Sequence, residues 1–193
     1  MVEGASPELL RELLNEYEEL IRDRTPDDWN TAQPGLRRIE IVEFLASIGL
    51  VPPDEIIVWW EWQGGHATGR PYSIRHPHLT LDSAKSVRET SGVGFGEFEW
   101  NPSWLPVAGE GPKFNIAVDC SGDHTPPLVR AISPEEASTT HDVDSVFQVV
   151  SLCTPVAWWI EAIRQGWYFV DENQNWQLRW AELPPEWKRT LLV

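Results

Sequence analysis

The sequence has no long hydrophobic run and few cysteines. No apolar stretch in its 193 residues approaches the roughly 20 residues that a membrane-spanning helix needs. Cys120 and Cys153 are the only cysteines; they are too few for a disulfide framework and are not spaced as a zinc pair, so we expect two reduced thiols. The N-terminus "MVEGASPELLRELL" lacks the basic and apolar regions of a secretory signal. The sequence therefore predicts a cytoplasmic protein.

Basic residues are also scarce. The chain has 15 Lys and Arg against 30 Asp and Glu, which gives a formal net charge of -15 at pH 7. Nucleic acids and anionic membranes would repel such a surface, which argues against both as partners and leaves a basic protein as the more natural one. An equally open interpretation is that the acidity only keeps the chain soluble and monomeric.

Helices dominate the first half of the sequence. Apolar residues recur at helical spacing in three segments, with Ser6 as an N-cap signal for the first and Gly49 as a stop signal for the second. A further helix follows a brief strand, and Asp82 or Ser83 could cap it. Prolines and a glycine in 24–35 predict a loop. The β-branched and aromatic residues of 51–65 leave a strand open as the alternative there. The four segments that carry a predicted helix are 6–20, 36–49, 51–65 and 78–90.

Strands dominate the second half. Residues 114–119 alternate Phe, Ile and Val with Asn, Ala and Asp, the pattern of a half-buried strand. Thr154 is the candidate N-cap of one late helix. The remaining candidates are strands in 127–133 and 142–152, a helix in 154–166 and a hairpin in 167–180. Helices, a strand group, a late helix and a closing hairpin together predict an α+β fold.

Three motifs follow one another in an order known from one family. The first, "IVEFLASIGLVPPDEIIVWWEWQGG", is a helix, a glycine–proline turn, and a second helix that closes on an aromatic and a glycine. The second, "WNPSWLPVAGEGPKFNIAVD", has two tryptophans four apart, prolines, a glycine-rich turn and a run ending in Asp119. The third, "VVSLCTPVAWWIEAIRQGWY", is a serine-led helix that ends before a glycine and a tyrosine. In this order the motifs resemble the SMI1/KNR4 family of the SUKH superfamily, over about 36–170.

This resemblance implies a single α+β domain over 1–193, with a central, mostly antiparallel sheet packed with helices. It implies that the second motif is an ordered crossing into a central strand, with Trp104 in a structural role. Many bacterial members of the superfamily are immunity proteins that neutralise toxin domains, often nucleases or deaminases, whereas fungal members regulate cell-wall assembly. The compact chain favours an immunity protein that occludes its toxin, and a regulatory or scaffold protein of the SMI1/KNR4 type is the alternative.

The acidity agrees with the immunity interpretation, because an inhibitor of a toxin that acts on nucleic acid gains affinity by imitating the charge of the substrate. The predicted contacts with a basic toxin domain are carboxylates and aromatics next to the second motif, together with one tryptophan from the first. For any one of them, a solvated acidic face is the simpler alternative. These residues are Trp62, Glu97, Glu99, Trp100, Glu110, Asp119 and Asp123.

Tryptophan is abundant, with 12 residues, and two neighbouring pairs lie on predicted helices. In Trp59–Trp60 and Trp158–Trp159 we expect one ring in the core and the other toward the surface. Exposed rings suit protein interfaces. They could also stack on sugars, so a carbohydrate-binding module is a less favoured alternative.

Catalytic and metal chemistry has little support in the sequence. Cys120, Asp123 and His124 lie close together, but no glycine elbow or phosphate loop accompanies them. The segment 66–78 contains His66, His76 and His78, but the His76-Pro77-His78 pair lacks a third ligand at a recognised spacing, and such a loop is more often polar and solvated. We therefore predict a binding protein with no catalytic residue, no metal and no cofactor.

Overall fold

The computed structural model describes residues 2–25, 32–66, 78–90, 100–109, 115–132, 148–173 and 175–183. These residues form an α+β fold, as the sequence predicts: helices pack around a central antiparallel sheet of four strands, and two smaller sheets have two strands each. None of the helices in these ranges is long and apolar enough to cross a bilayer.

The helices are α1 (Pro7–Arg24), α2 (Arg38–Ser47), α3 (Asp54–Trp62), α4 (Leu81–Thr90) and α5 (Cys153–Arg164). The strands are β1 (Ala32–Pro34), β2 (Gln63–His66), β3 (Trp104–Gly109), β4 (Asn115–Asp119), β5 (Leu128–Ile132), β6 (Gln148–Val150), β7 (Tyr168–Val170) and β8 (Trp176–Leu178). A short 3-10 helix, Trp180–Glu182, follows β8.

The central sheet has the order β3-β4-β5-β6, with every neighbouring pair antiparallel. Leu105, Val118 and Val129 are fully buried and belong to the hydrophobic core. Asn115 and Ala117, on alternate positions of β4, are buried as well. The predicted strand is confirmed as β4, but the prediction that it is half-buried was wrong, because side chains on both of its faces are covered.

The second motif contains a strand where the resemblance implied a crossing. Residues Trp104–Gly109 form β3, which pairs with β4 through neighbours such as Leu105 and Val118. Pro106 is compatible with this strand because it lies at an irregularity in the β3–β4 register, where the ladder does not need a regular donor. Trp104 itself is buried, as the structural role predicted for it requires.

His78 and Leu79 join the β1–β2 pair to the central sheet through backbone hydrogen bonds. The His66 N–H donates to the His78 carbonyl at 3.0 Å, and the Leu79 N–H donates to the Val107 carbonyl of β3 at 3.0 Å. Gly65 is needed at the junction, because its φ is 108° and an added Cβ would lie 2.6 Å from the backbone nitrogen of Thr80.

The prediction of a loop over 24–35 was wrong at the end of that segment, because Ala32–Pro34 form β1.

The structure confirms one of the three predicted helix N-caps. The Ser6 hydroxyl accepts from the Leu9 N–H at 3.2 Å and caps α1. For α4 the cap is Thr80, which accepts from the Ser83 N–H at 3.1 Å, rather than Asp82 or Ser83. The Thr154 hydroxyl donates back to the Val150 carbonyl at 2.8 Å, so Thr154 does not cap α5.

An aromatic cluster joins α1, α3 and α5 in the core. The ring of Trp159 lies 5.5 Å from Tyr17 and 6.3 Å from Trp59, measured between centroids. Trp59 and Trp60 are both buried, so the prediction that one ring of this pair faces the surface was wrong. Trp158 is half-buried beside a buried Trp159, as predicted. The predicted hairpin is also confirmed, as β7 pairs with β8.

Candidate binding surface

Trp100 and Asp119 lie at one end of β3, where Trp104 and Asp119 are paired residues. The Trp100 indole donates to the Trp104 carbonyl at 3.1 Å, and the two indole rings meet edge to face. The Asp119 carboxylate accepts from the Ser103 hydroxyl and the Ser121 N–H, each at 2.9 Å. Burial raises the pKa of Asp119, but these hydrogen bonds outweigh it and the net pKa is lowered. Both side chains therefore hold the surrounding loops together.

Asp123 is exposed on the loop that follows β4. This loop borders a groove of about 390 Å³, the proline groove. The proline groove is lined by Ala5, Ser6, Pro7, Pro52, Pro53, Asp54, Glu55, His124, Thr125, Pro126 and Pro127. The other predicted contacts of this neighbourhood, Glu97, Glu99 and Glu110, lie outside the described residues.

Trp62 lies apart from these residues. It packs on His78, which bridges to Ala108 near the other end of β3. Ala108 is four residues from Trp104, which corresponds to roughly 13 Å along a strand. The structure therefore divides the predicted contacts into two groups instead of one site.

Trp62 lines a second groove, between the C-terminal half of α1, the end of α3 and the β1–β2 pair. This Trp62 groove has a volume of about 370 Å³. The Trp62 indole donates to Glu18 Oε2 at 2.9 Å, and Glu18 Oε1 pairs with the Arg22 guanidinium at 2.6 Å. The Trp62 groove is lined by Glu18, Arg22, Ala32, Gln33, Pro34, Trp62 and Gln63. It brings together an indole, a carboxylate, a guanidinium and two amides.

A buried histidine supports the floor of this groove. The His78 ring stacks on Trp62 at 5.6 Å, meets Trp59 edge to face at 4.5 Å, and has its Nδ1 2.9 Å from Gln63 Oε1. Burial, with a smaller effect of His66, lowers the pKa of His78 well below its ordinary value. The interpretation of 66–78 as a solvated polar loop was therefore wrong for His78, which is a neutral ring within the fold.

Acid is expected to destabilise the fold as the pH falls below about 6.5, the ordinary pKa of histidine. His66 and His78 both have lowered pKa values because they are buried, so the unfolded chain binds protons in this range before the folded chain does. Stability is then retained above the unfolded pKa and lost as the pH falls. Urea unfolding at a series of pH values measures this loss, and His78→Gln is expected to reduce its slope. The matched control is His124→Gln, on the exposed loop, and equal slopes in all three proteins would contradict the prediction.

An acidic ridge runs along the exposed side of α1. It consists of Glu8, Glu12, Glu19 and Asp23, whose spacing keeps them on one face of the helix. All four are exposed. Asp23 lies 3.9 Å from Arg24, and the other three have no ion pair with any residue that the structure describes. Sequence reasoning missed this ridge, although the recurrence of acids on the polar face of the first helix was visible.

The flanks of α1 fix the ridge in place. Arg11 pairs with Glu61 of α3 at 2.6 Å, while Glu16 pairs with Arg164 of α5 on the other flank. Glu18 lies on the α3 side, so the Trp62 groove directly adjoins the ridge. The acidic ridge and the Trp62 groove therefore form one continuous surface.

Both cysteines are buried and do not belong to this surface. Cys120 is buried, and burial raises the pKa of its thiol to about 12, so it is a poor nucleophile at neutral pH. Cys153 is also buried, and its pKa is raised for the same reason. Within the described ranges, no group of three or more His, Cys, Asp or Glu side chains could hold a metal ion.

Comparison with known proteins leaves the chain without an assigned family: no family model matches it, and no curated protein is significantly similar to it. The resemblance to the SMI1/KNR4 family therefore rests on the three sequence motifs.

Proposed function

We propose that the chain is a cytoplasmic immunity protein of the SMI1/KNR4 type, which binds a basic toxin domain and occludes it. The observation that carries this proposal is the acidic ridge on α1 beside the Trp62 groove. The ridge supplies a field that attracts a basic surface, and the groove supplies an anchor for a side chain of the partner.

The ridge has the dimensions of a protein interface. From Glu8 to Asp23 it extends about 22 Å along the helix axis. A standard interface buries about 800 Å² on each partner, so a ridge of this length spans most of the width of such a buried patch. The opposite face of α1 is buried through Leu10, Leu14, Tyr17 and Ile21, so the carboxylates lie along the outer side of a helix that is packed against the core.

Charge also favours a toxin that acts on nucleic acid. A nuclease or deaminase binds its substrate through a basic surface, and a line of carboxylates occupies the same surface as the phosphates do. The net charge of -15 strengthens this attraction over the whole molecule. Occlusion requires no catalytic group on this chain.

A rescue assay in a sensitive host tests the proposal. The C-terminal domain of the large protein encoded next to this gene is expressed with the chain, with an empty vector, or with an unrelated acidic protein. We expect survival only with the chain, together with a complex that co-purifies from the rescued cells. Continued killing in the presence of abundant, folded chain would contradict the immunity proposal.

A further inference from the structure

We propose that the proline groove binds an aromatic side chain, which the partner presents within a basic segment. That the partner is a toxin domain rests on the proposed function, whereas the groove is argued from its own walls and contacts. The residues that line it, and their neighbours along the chain on either side, all belong to the described residues.

Prolines form most of the apolar wall. Pro7 begins α1, Pro52 and Pro53 precede α3, and Pro126 and Pro127 lie between β4 and β5. All of them except Pro127 are half-buried, so they keep part of their surface open to a ligand. A proline ring is apolar and fixes its own φ, so the wall is stiff. The groove is therefore a preformed apolar cleft of about 390 Å³, a size typical of sites that enclose an organic group.

The apolar surface continues beyond the groove. Val51 directly precedes Pro52 and is 70% exposed. An exposed valine that adjoins an apolar cleft enlarges a contiguous patch, and such patches mark interaction sites more often than single apolar side chains do.

Hydrogen bonds join the three walls of the groove. Glu55 of α3 accepts from the Ser151 hydroxyl at 2.7 Å, and the Ser151 N–H donates to the Pro127 carbonyl at 2.8 Å. The Cys153 thiol donates to the Ser6 carbonyl, with 3.6 Å between sulfur and oxygen. The beginning of α5 therefore connects the beginnings of α1 and α3 with the segment between β4 and β5. Because these walls are already joined, little conformational entropy is lost when a ligand enters.

The carboxylates that line the groove already have partners. Asp54 Oδ1 lies 2.6 Å from Arg38 Nη2. Glu55 is only 2% exposed, and its two oxygens accept from Ser151 and Leu152. A cation inside the groove would have to displace these partners, so an uncharged apolar group is favoured there. Aromatic side chains bury a large apolar area and are enriched among the residues that carry the binding energy of interfaces.

Exposed acids border the groove. Glu8 follows Pro7 and begins the acidic ridge, and Asp123 precedes His124. Neither acid has an ion pair with any residue that the structure describes. Basic residues on either side of the aromatic one therefore meet opposite charge, and a basic partner on the ridge reaches the groove without a break.

Nuclear magnetic resonance of the backbone amides of Glu55 and His124 tests the groove in the absence of any toxin. The purified chain is titrated with the capped tripeptide Lys-Trp-Lys, and we expect saturable shifts with a dissociation constant on the order of 1 mM. Lys-Leu-Lys is expected to bind several-fold more weakly, because its side chain buries less area. Lys-Gln-Lys is expected to leave both amide signals unchanged.

Two proline variants test the wall. Pro7→Ala keeps a good helix former in the first turn of α1 and removes the ring, so we expect several-fold weaker binding of Lys-Trp-Lys. Pro52→Ala is expected to act in the same way from the opposite wall. Pro102→Ala is the matched control, since Pro102 is exposed before β3 and does not line the groove, and it should leave the affinity unchanged.

A charge variant tests the border of the groove. Glu8→Gln is expected to weaken binding of Lys-Trp-Lys several-fold and to leave binding of Gln-Trp-Gln unchanged, because only the first peptide carries charge beside the aromatic residue. Glu172→Gln, on the exposed turn between β7 and β8, is the matched control for the loss of one negative charge.

The result is independent of the rescue assay. No shift with Lys-Trp-Lys, or the same shift with Lys-Gln-Lys, would overturn the aromatic site even if the chain rescues cells. Equal affinities in Pro7→Ala, Pro52→Ala and Pro102→Ala would also overturn it, because the proline wall would then not be the contact. Binding of the aromatic peptide without rescue would support the groove and remove the toxin as its partner.

Discussion

Replacing Glu55 by alanine is expected to lower the free energy of unfolding by about 3 kcal/mol, because two buried donors lose their acceptor. Glu55 is only 2% exposed. Its Oε1 accepts from the Ser151 hydroxyl and its Oε2 accepts from the Leu152 N–H, each at 2.7 Å. The Ser151 hydroxyl in turn accepts from the Cys153 N–H at 3.0 Å. One side chain of α3 therefore anchors the beginning of α5.

The replacement of Glu55 is expected to disturb more than the two hydrogen bonds that it removes. Ser151 has a φ of 70°, a left-handed conformation that a serine adopts only when its surroundings hold it. The start of α5 also leads to Trp159, whose ring packs on Tyr17 and Trp59. Loss of the Glu55 carboxylate is expected to loosen this end of the helix together with the edge of the core.

Two variants make the Glu55 prediction specific, and urea unfolding of each measures the change. Glu55→Gln keeps a polar group of the same shape and is expected to cost about 1 kcal/mol, the net value of an ordinary hydrogen bond. Asp54→Ala removes the neighbouring carboxylate, which is exposed in an ion pair with Arg38, and is expected to cost under about 1 kcal/mol. If Glu55→Ala were as stable as Asp54→Ala, the carboxylate would not be the anchor of α5.

Reversing charge on the acidic ridge is expected to slow association with the proposed toxin partner by roughly 10- to 1,000-fold at low salt. The variant is Glu12→Lys with Glu19→Lys, two exposed positions on the same face of α1. Lysine is a good helix former, so the helix is retained while the field at the ridge reverses. Stopped-flow mixing of the two purified proteins measures the rate.

The matched control for the ridge is Glu43→Lys with Glu172→Lys. These residues are exposed on α2 and on the turn between β7 and β8, outside α1. Both double variants change the net charge by the same amount, so a difference between them reports location. Equal slowing by the two variants would show that total charge acts without a defined surface, and the ridge would lose its role.

Much of the fold follows from local signals in the sequence. The Ser6 cap, the apolar stripe of α1, the Gly49 stop and the β7–β8 hairpin are all visible in short windows, and the structure confirms them. The features of the fold that the sequence does not predict depend on contacts between residues far apart in the chain. The family resemblance implies a crossing at Trp104–Gly109, whereas these residues form β3, because they pair with β4.

The candidate surface was harder to predict than the fold. Trp62 was predicted as a contact, but its groove depends on Glu18 and Arg22, which lie 44 and 40 positions earlier in the chain. Glu55 gives no local signal either, since an acid in the first turn of a helix is expected to face solvent. Trp59 and Trp60 are both covered because α3 is enclosed by its neighbours, which the pattern of one helix does not reveal.

Titration calorimetry of the purified chain with the proposed toxin domain tests whether the acidic surface binds and occludes it. The account predicts a saturable complex whose affinity falls as salt is raised, because exposed charges on the ridge contribute to it. It also predicts that the toxin loses activity in proportion to the fraction bound. Absence of binding heat at low salt, or a complex in which the toxin remains fully active, would contradict the account.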